Sequence, residues 1–157
     1  MNNFVNILRK HKLRPTKQRV SLGKILFDKG NRHITAEILK NESDKENLKV
    51  SQATVYNVLN DFYTAGLLAK VNIDDDKTWY DTNVEHHYHI FLENSSELVD
   101  INPEEIDIKI SKKLTMGQIR KVDLVVKVND SVMYTTTSGT KVGDNLILSE
   151  DELLAII

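Results

Sequence analysis

At 157 residues the chain has room for one ordinary domain or two small ones. With 40% hydrophobic and 28% charged residues it is a globular sequence rather than a disordered one, and no run approaches the ~20 apolar residues of a membrane span. It contains no cysteine, which excludes disulfides and thiolate metal ligands, and no apolar leader opens it, so a cytoplasmic location is expected. Charge is unevenly spread. Residues 1–70 hold 13 Lys or Arg against 6 Asp or Glu, and residues 71–157 hold 8 against 17. A basic first part joined to an acidic second part points to a polyanionic partner for the first part alone.

Asn2–Lys12 carries Phe4, Ile7 and Leu8, then His11, on one face of a first helix, where His11 reads as a surface residue. Thr16 is a cap for a second helix through Val20, Leu22, Ile25, Leu26 and Phe27, stopped by Gly30. Around its start cluster Arg9, Lys10, Lys12, Arg14, Lys17 and Arg19, placed to pair with phosphates. A third helix starts near Thr35, opened by His33, and the polar run Asn41–Lys49 reads as a loop. Ser51 caps a fourth helix, Gln52–Ala65, with Gly66 just past its end. There Val55, Val58, Leu59 and Phe62 form one apolar stripe, and Gln52, Ala53, Tyr56, Asn57 and Asn60 form the opposite face. Such amides and a phenol, almost without charge, suit base edges in a major groove, although an outward face of amides can also be plain solvated surface. Leu67–Ile73 and Thr78–Thr82 then flank Asp74-Asp75-Asp76-Lys77 as a β-hairpin. Short helices followed by a hairpin is the order of a winged helix-turn-helix.

Beyond the hairpin, three of the five histidines fall in His86-His87-Tyr88-His89. The segment leads into Ile90-Phe91-Leu92, a strand, where alternate residues share a face. His87 and His89 then point together, while His86 and Tyr88 point away. Two imidazoles so placed can grip a borderline ion such as Zn²⁺ or Fe²⁺, with His33 and Asp81 available as further ligands. Histidines hydrogen-bonded on a linker are the plainer alternative. Leu98–Ile101 and Val122–Val128 read as two more strands.

Arg14-Pro15-Thr16-Lys17-Gln18-Arg19, His33-Ile34-Thr35-Ala36-Glu37, Ser51-Gln52-Ala53-Thr54-Val55-Tyr56-Asn57 and Ala65-Gly66-Leu67 resemble, in order and spacing, the DNA-binding half of ferric uptake regulator proteins. Asp81-Thr82-Asn83, the histidine cluster, Gly117 and Val122-Asp123-Leu124-Val125-Val126 resemble one branch of that family, the iron response regulator (Irr) of alphaproteobacteria. The resemblance spans residues 4–128. It implies an α+β chain: a winged-helix DNA-binding domain over 1–82, a small α/β dimerisation and sensing domain over 83–128, and an extension of no assigned role over 129–157. Part of that extension resembles the end of a chaperonin-10 chain.

The resemblance also implies a site. His33, Asp81, His87 and His89 would hold Fe, Mn or Zn, with Asp81 standing where many relatives have Glu. A second site of the family needs Asp or His where this chain has Tyr88, so none is expected. In the Irr branch the histidine-rich region is implicated in haem sensing; without cysteine, His86, His87 or His89 would be the axial ligand. Arg14, Gln52, Tyr56 and Asn57 would meet DNA. The expected product is a homodimeric repressor or activator on a double-stranded operator of inverted symmetry. Two other readings stay open: a small metalloenzyme using the His/Asp cluster, and a DNA-binding module whose metal is purely structural. No Ser-His-Asp, HExxH or glycine-rich phosphate pattern supports the enzyme.

Overall fold

A computed structural model describes residues 3–73, 77–109 and 117–130. Local chemistry places the helices. Thr16 Oγ1 accepts the Arg19 amide at 3.3 Å to start α2 (Lys17–Phe27), and Thr35 Oγ1 accepts that of Ile38 at 3.2 Å to start α3 (Ala36–Lys45). Ser51 Oγ does the same for α4 (Gln52–Thr64) with Thr54 at 3.1 Å. Past α4, Gly66 takes the left-handed φ of +74°, and the Leu67 amide closes on the Phe62 carbonyl at 2.8 Å, a turn that glycine enters without strain. These helices and α1 (Asn3–Lys10) bury one core, in which Leu8, Leu22, Leu26, Leu39, Val55, Leu59 and Phe62 are inaccessible to solvent.

Phe4 closes that core by packing its ring against Gly23 of α2, with its ring centroid 5.4 Å from Phe27 and 5.9 Å from Phe62. A Cβ at position 23 would stand 1.9 Å from Phe4 Cε1. Glycine to alanine inside a helix ordinarily gains about 1 kcal/mol. Here Gly23→Ala will instead cost roughly 1–3 kcal/mol through overpacking, measured by denaturant unfolding. A gain would show that Phe4 does not pack there.

Two small sheets complete the molecule. In the first, β1 (His33–Thr35), β3 (Thr78–Asp81) and β2 (Ala69–Asn72) lie in that order, all antiparallel, with His33 opposite Asp81. In the second, β4 (Tyr88–Leu92) is central, antiparallel to β5 (Glu97–Ile101) and parallel to β6 (Val125–Val128), with His89 opposite Asp100. A second apolar cluster joins the sheets: Val71, Ile73 and Trp79 from the first meet Leu98, Phe91 and Val125 from the second. The Trp79 and Phe91 rings meet edge to face, 6.3 Å apart.

The structure corrects several expectations. The helix of Thr35 runs on to Lys45, so the first part of Asn41–Lys49 is helical rather than loop. His33 lies in a strand instead of opening a helix. The last strand begins at Val125, not Val122. His11 sits in the turn after α1, half-buried, with Nδ1 at 2.8 Å from the Ala65 carbonyl oxygen at the end of α4. Arg19 is no free phosphate ligand. Its guanidinium donates to Asp61 Oδ2 on α4 at 3.2 and 2.7 Å, and to the Arg14 carbonyl at 2.9 Å. The hairpin tip at 74–76 and most of the 129–157 extension lie outside the described residues.

Candidate metal centre

Two cross-strand pairs and one preceding residue build the site. On an antiparallel ladder, residues directly opposite share a face. The first sheet thus presents His33 beside Asp81, and the second presents His89 beside Asp100. His87, two residues before His89, falls on the same side. One donor atom from each of these five residues lies within 4.8 Å of every other.

The convergence is specific at the atomic level. Asp81 Oδ2 faces three imidazoles, at 2.8 Å from His87 Nε2, 3.4 Å from His89 Nε2 and 3.5 Å from His33 Nε2. Asp100 Oδ1 approaches the same three nitrogens at 2.7 Å (His33), 3.3 Å (His87) and 3.7 Å (His89). His87 Nε2 and His89 Nε2 are 2.9 Å apart. Ligands ~2.1 Å from a shared ion stand about 3 Å from one another, so these separations match a common coordination centre.

Asp81 is wholly buried, whereas Asp100 keeps 36% of its side chain in solvent. Burial alone would push the Asp81 carboxyl up, but His33, His89 and the Asn83 amide hold it well below the usual carboxylate range. Burial likewise works to lower His33, and is outweighed by Asp81, Asp100 and a backbone hydrogen bond at Leu98, which leave it raised above 6.5. The site therefore presents a fixed negative charge beneath imidazole nitrogens.

A cation fits this donor set. His33 Nε2 is buried and has no partner in hydrogen-bond geometry, although Asp100 Oδ1 is only 2.7 Å away. The short separation without hydrogen-bond geometry leaves both atoms available to a shared cation. Three imidazoles and two carboxylates, without sulfur, suit a borderline divalent ion. The surrounding shell orients them. His87 Nδ1–H donates to the Glu85 carbonyl at 2.8 Å, turning the Nε2 lone pair inward. Asn83 touches two of the donors and the segment between: its backbone N–H donates to Asp81 Oδ1 at 2.7 Å, its side-chain Nδ2 donates to Asp100 Oδ2 at 3.5 Å, and its Oδ1 accepts the Glu85 amide at 3.2 Å. Asn83→Ala will lower metal affinity about 10–100-fold in chelator competition. An unchanged affinity would remove Asn83 from the support of the site.

The four expected ligands, His33, Asp81, His87 and His89, are thus brought together, and Asp100 joins them. Sequence reasoning missed Asp100. The signal was the hairpin register: a turn at Asn94-Ser95-Ser96 that pairs Ile90 with Val99 puts Asp100 against His89. His86 stays apart and exposed, its ring edge-on to Tyr88 at 5.2 Å. A cleft of about 560 Å³ opens beside the cluster, bordered by Lys70, Asn83, His86, Tyr88 and Arg120. Of the expected DNA contacts, Arg14, Gln52, Tyr56 and Asn57 are all exposed, Tyr56 by 49% of its surface.

Comparison with known proteins supplies the family. The model of the ferric uptake regulator family matches residues 10–129. The ferric uptake regulation protein of Shigella flexneri is 27% identical over 103 residues, covering 65% of this chain and 70% of that protein. That of Pseudomonas fluorescens is 32% identical over 101 residues, covering 64% of this chain and 82% of the other. The ferric uptake regulator of Pseudomonas aeruginosa, solved with manganese, superposes with a TM-score of 0.61 at 24% identity, over 78% of this chain and 94% of that one. Its fold agrees with an α+β assembly of a helical half and a smaller strand-rich half. The chain belongs to the ferric uptake regulator family, as a metal-responsive DNA-binding transcription regulator and not an enzyme.

Proposed function

We propose that the chain works as a homodimer on an operator of inverted symmetry, and that a divalent ion held by His33, Asp81, His87, His89 and Asp100 sets its affinity for that DNA. One observation carries this reading: four donors from two different sheets, and His87 from the segment just before β4, converge on one point. A shared ion would tie the sheet next to the helices to the sheet beyond it. The proposed boundary between the working domains lies there, at residues 82–83. Manganese, iron and zinc all suit the donor set, and manganese accompanies the related Pseudomonas aeruginosa protein. No helix among the described residues is long and apolar enough to cross a membrane.

Within the family, the absence of cysteine and the sequence around Asp81–His89 favour the Irr branch. The cleft beside His86, His87 and His89 supports haem as a second effector, with one of these histidines as its axial ligand. Selection of operators from random duplex DNA, followed by titration with Fe²⁺, Mn²⁺, Zn²⁺ or haem, tests both readings. An affinity indifferent to all four would overturn them.

Base reading is assigned to the exposed face of α4. Tyr56→Ala will cost roughly 1–3 kcal/mol on the selected operator and little on random duplex. Arg14→Ala will weaken binding to every sequence and flatten its salt dependence. Equal losses on both DNAs for Tyr56→Ala would show that this residue does not read bases.

A further inference from the structure

A second cleft, of about 410 Å³, lies between the first turn of α2 and the loop that leads into α4. It is bordered by Lys17, Gln18 and Ser21 on one side and by Asn47 and Lys49 on the other, together with the apolar Leu48 and Val50. Two cations and no acidic side chain line it. Lys17 and Lys49 are exposed, and neither forms an ion pair among the described residues. By contrast Arg19, Lys29, Arg32 and Lys40 are all committed to Asp61, Glu42 or Asp44.

Both walls are held in place. Leu48 and Val50 pack on the main core, and the Leu48 amide donates to the Ser43 carbonyl at 2.8 Å. Lys17 follows the Thr16 cap directly. The cleft also lies between the two segments that carry the expected DNA contacts. Lys17 is three residues past Arg14, and Lys49 is two residues before the Ser51 cap of α4.

We infer that this cleft receives a DNA backbone phosphate next to each half-site, held by Lys17 and Lys49. The inference rests on the DNA-binding reading above and adds to it a positioning contact that carries no sequence information. Held there, the backbone fixes how far along the groove Tyr56 and Asn57 reach.

The test uses the full chain, metal-loaded, on its selected operator and on a random duplex across 50–300 mM KCl, read by fluorescence anisotropy; those concentrations are roughly the range over which phosphate contacts are lost. Lys17→Ala combined with Lys49→Ala will weaken both complexes about tenfold at low salt. The log–log salt slope will fall by about 2 for a dimer that loses one phosphate contact per protomer. Lys17→Arg combined with Lys49→Arg will restore the slope, and Lys45→Ala, outside the cleft, will not change it. Single methylphosphonate linkages then locate the contact. One neutral linkage per half-site will weaken the wild-type complex and leave the double alanine variant unaffected. If the salt slope of the alanine variant is unchanged, or if every linkage effect adds to the substitutions, the cleft holds no phosphate. Failure of the wild type to select any operator would overturn the DNA reading itself, a result distinct from either.

Discussion

Replacing His87 and His89 together with alanine will abolish the influence of metal on DNA affinity while leaving the four helices folded. The two residues supply two of the three imidazoles at the centre, with Nε2 atoms 2.9 Å apart; His89 lies on β4 of the second sheet and His87 just before that strand. The remaining His33 and Asp81 sit on the first sheet beside the helical core. On the second sheet only the solvent-exposed Asp100 carboxylate is left, so an ion held with His33 and Asp81 has lost both imidazoles of that sheet and favours one arrangement of the sheets far less. A ligand shifts an equilibrium only through its different affinity for the two states. Coupling of this kind commonly amounts to about 1–3 kcal/mol, or 5- to 150-fold in affinity. Titration of the double variant on the selected operator, with and without metal, reads the loss directly, and circular dichroism reports the fold. His33→Ala will uncouple the sheets from the other side, even where the remaining donors keep some metal. A double variant that still responds by the wild-type factor would show that the sensor lies elsewhere.

How much of this was legible in the sequence depends on the range of the interactions. Caps are local, and Thr16 and Ser51 act where hydroxyl residues before apolar stripes said they would. The alternation that pairs His87 with His89 is also local, since it follows from strand geometry alone. The second half of α3 was not readable from apolar periodicity, because that turn is held by polar contacts. Lys40 and Asp44 pair one turn apart, Arg32 grips Glu42 with both nitrogens at 2.9 and 2.6 Å, and buried Ser43 donates back to the Lys40 carbonyl at 2.7 Å. His11 and Arg19 were misplaced because their partners, Ala65 and Asp61, are distant in sequence, whereas Asp100 was missed because the register of the β4–β5 hairpin was not read. His33 and Asp81 were candidates by residue type, and the family resemblance singled them out as ligands. That they stand opposite each other on neighbouring strands is a consequence of long-range pairing that no local pattern displays.

The metal centre is not the only connection between the sheets. Val71, Ile73 and Trp79 pack on Leu98, Phe91 and Val125 across the same boundary, so an apolar contact and a polar one span it together. The apolar contact needs no ion. The sheets are therefore expected to stay associated in the metal-free chain, and on the proposed reading metal adjusts their arrangement rather than creating it.

Trp79→Ala separates the two contributions. Trp79 is 8% exposed and its ring meets Phe91 edge to face at 6.3 Å, so truncation removes the largest side chain of the cluster. Such a change costs roughly 3–5 kcal/mol, partly as lost burial and partly as the cavity left behind. None of the five metal donors is altered, and Trp79 lies two residues from Asp81, where alternation puts both side chains on one face of β3 but opposite different partners, Thr35 and His33. With the apolar link weakened, the metal becomes the main tie between the sheets. Metal-free Trp79→Ala will therefore unfold in two steps, the second sheet first, whereas the metal-loaded variant will unfold in one. The gain in Tm on adding metal will exceed that of the wild type, as expected when a ligand binds only the joined state. Calorimetry with and without Zn²⁺ reads both effects. A single transition in metal-free Trp79→Ala, with the wild-type gain on loading, would show that the apolar cluster stabilises the fold without linking the sheets.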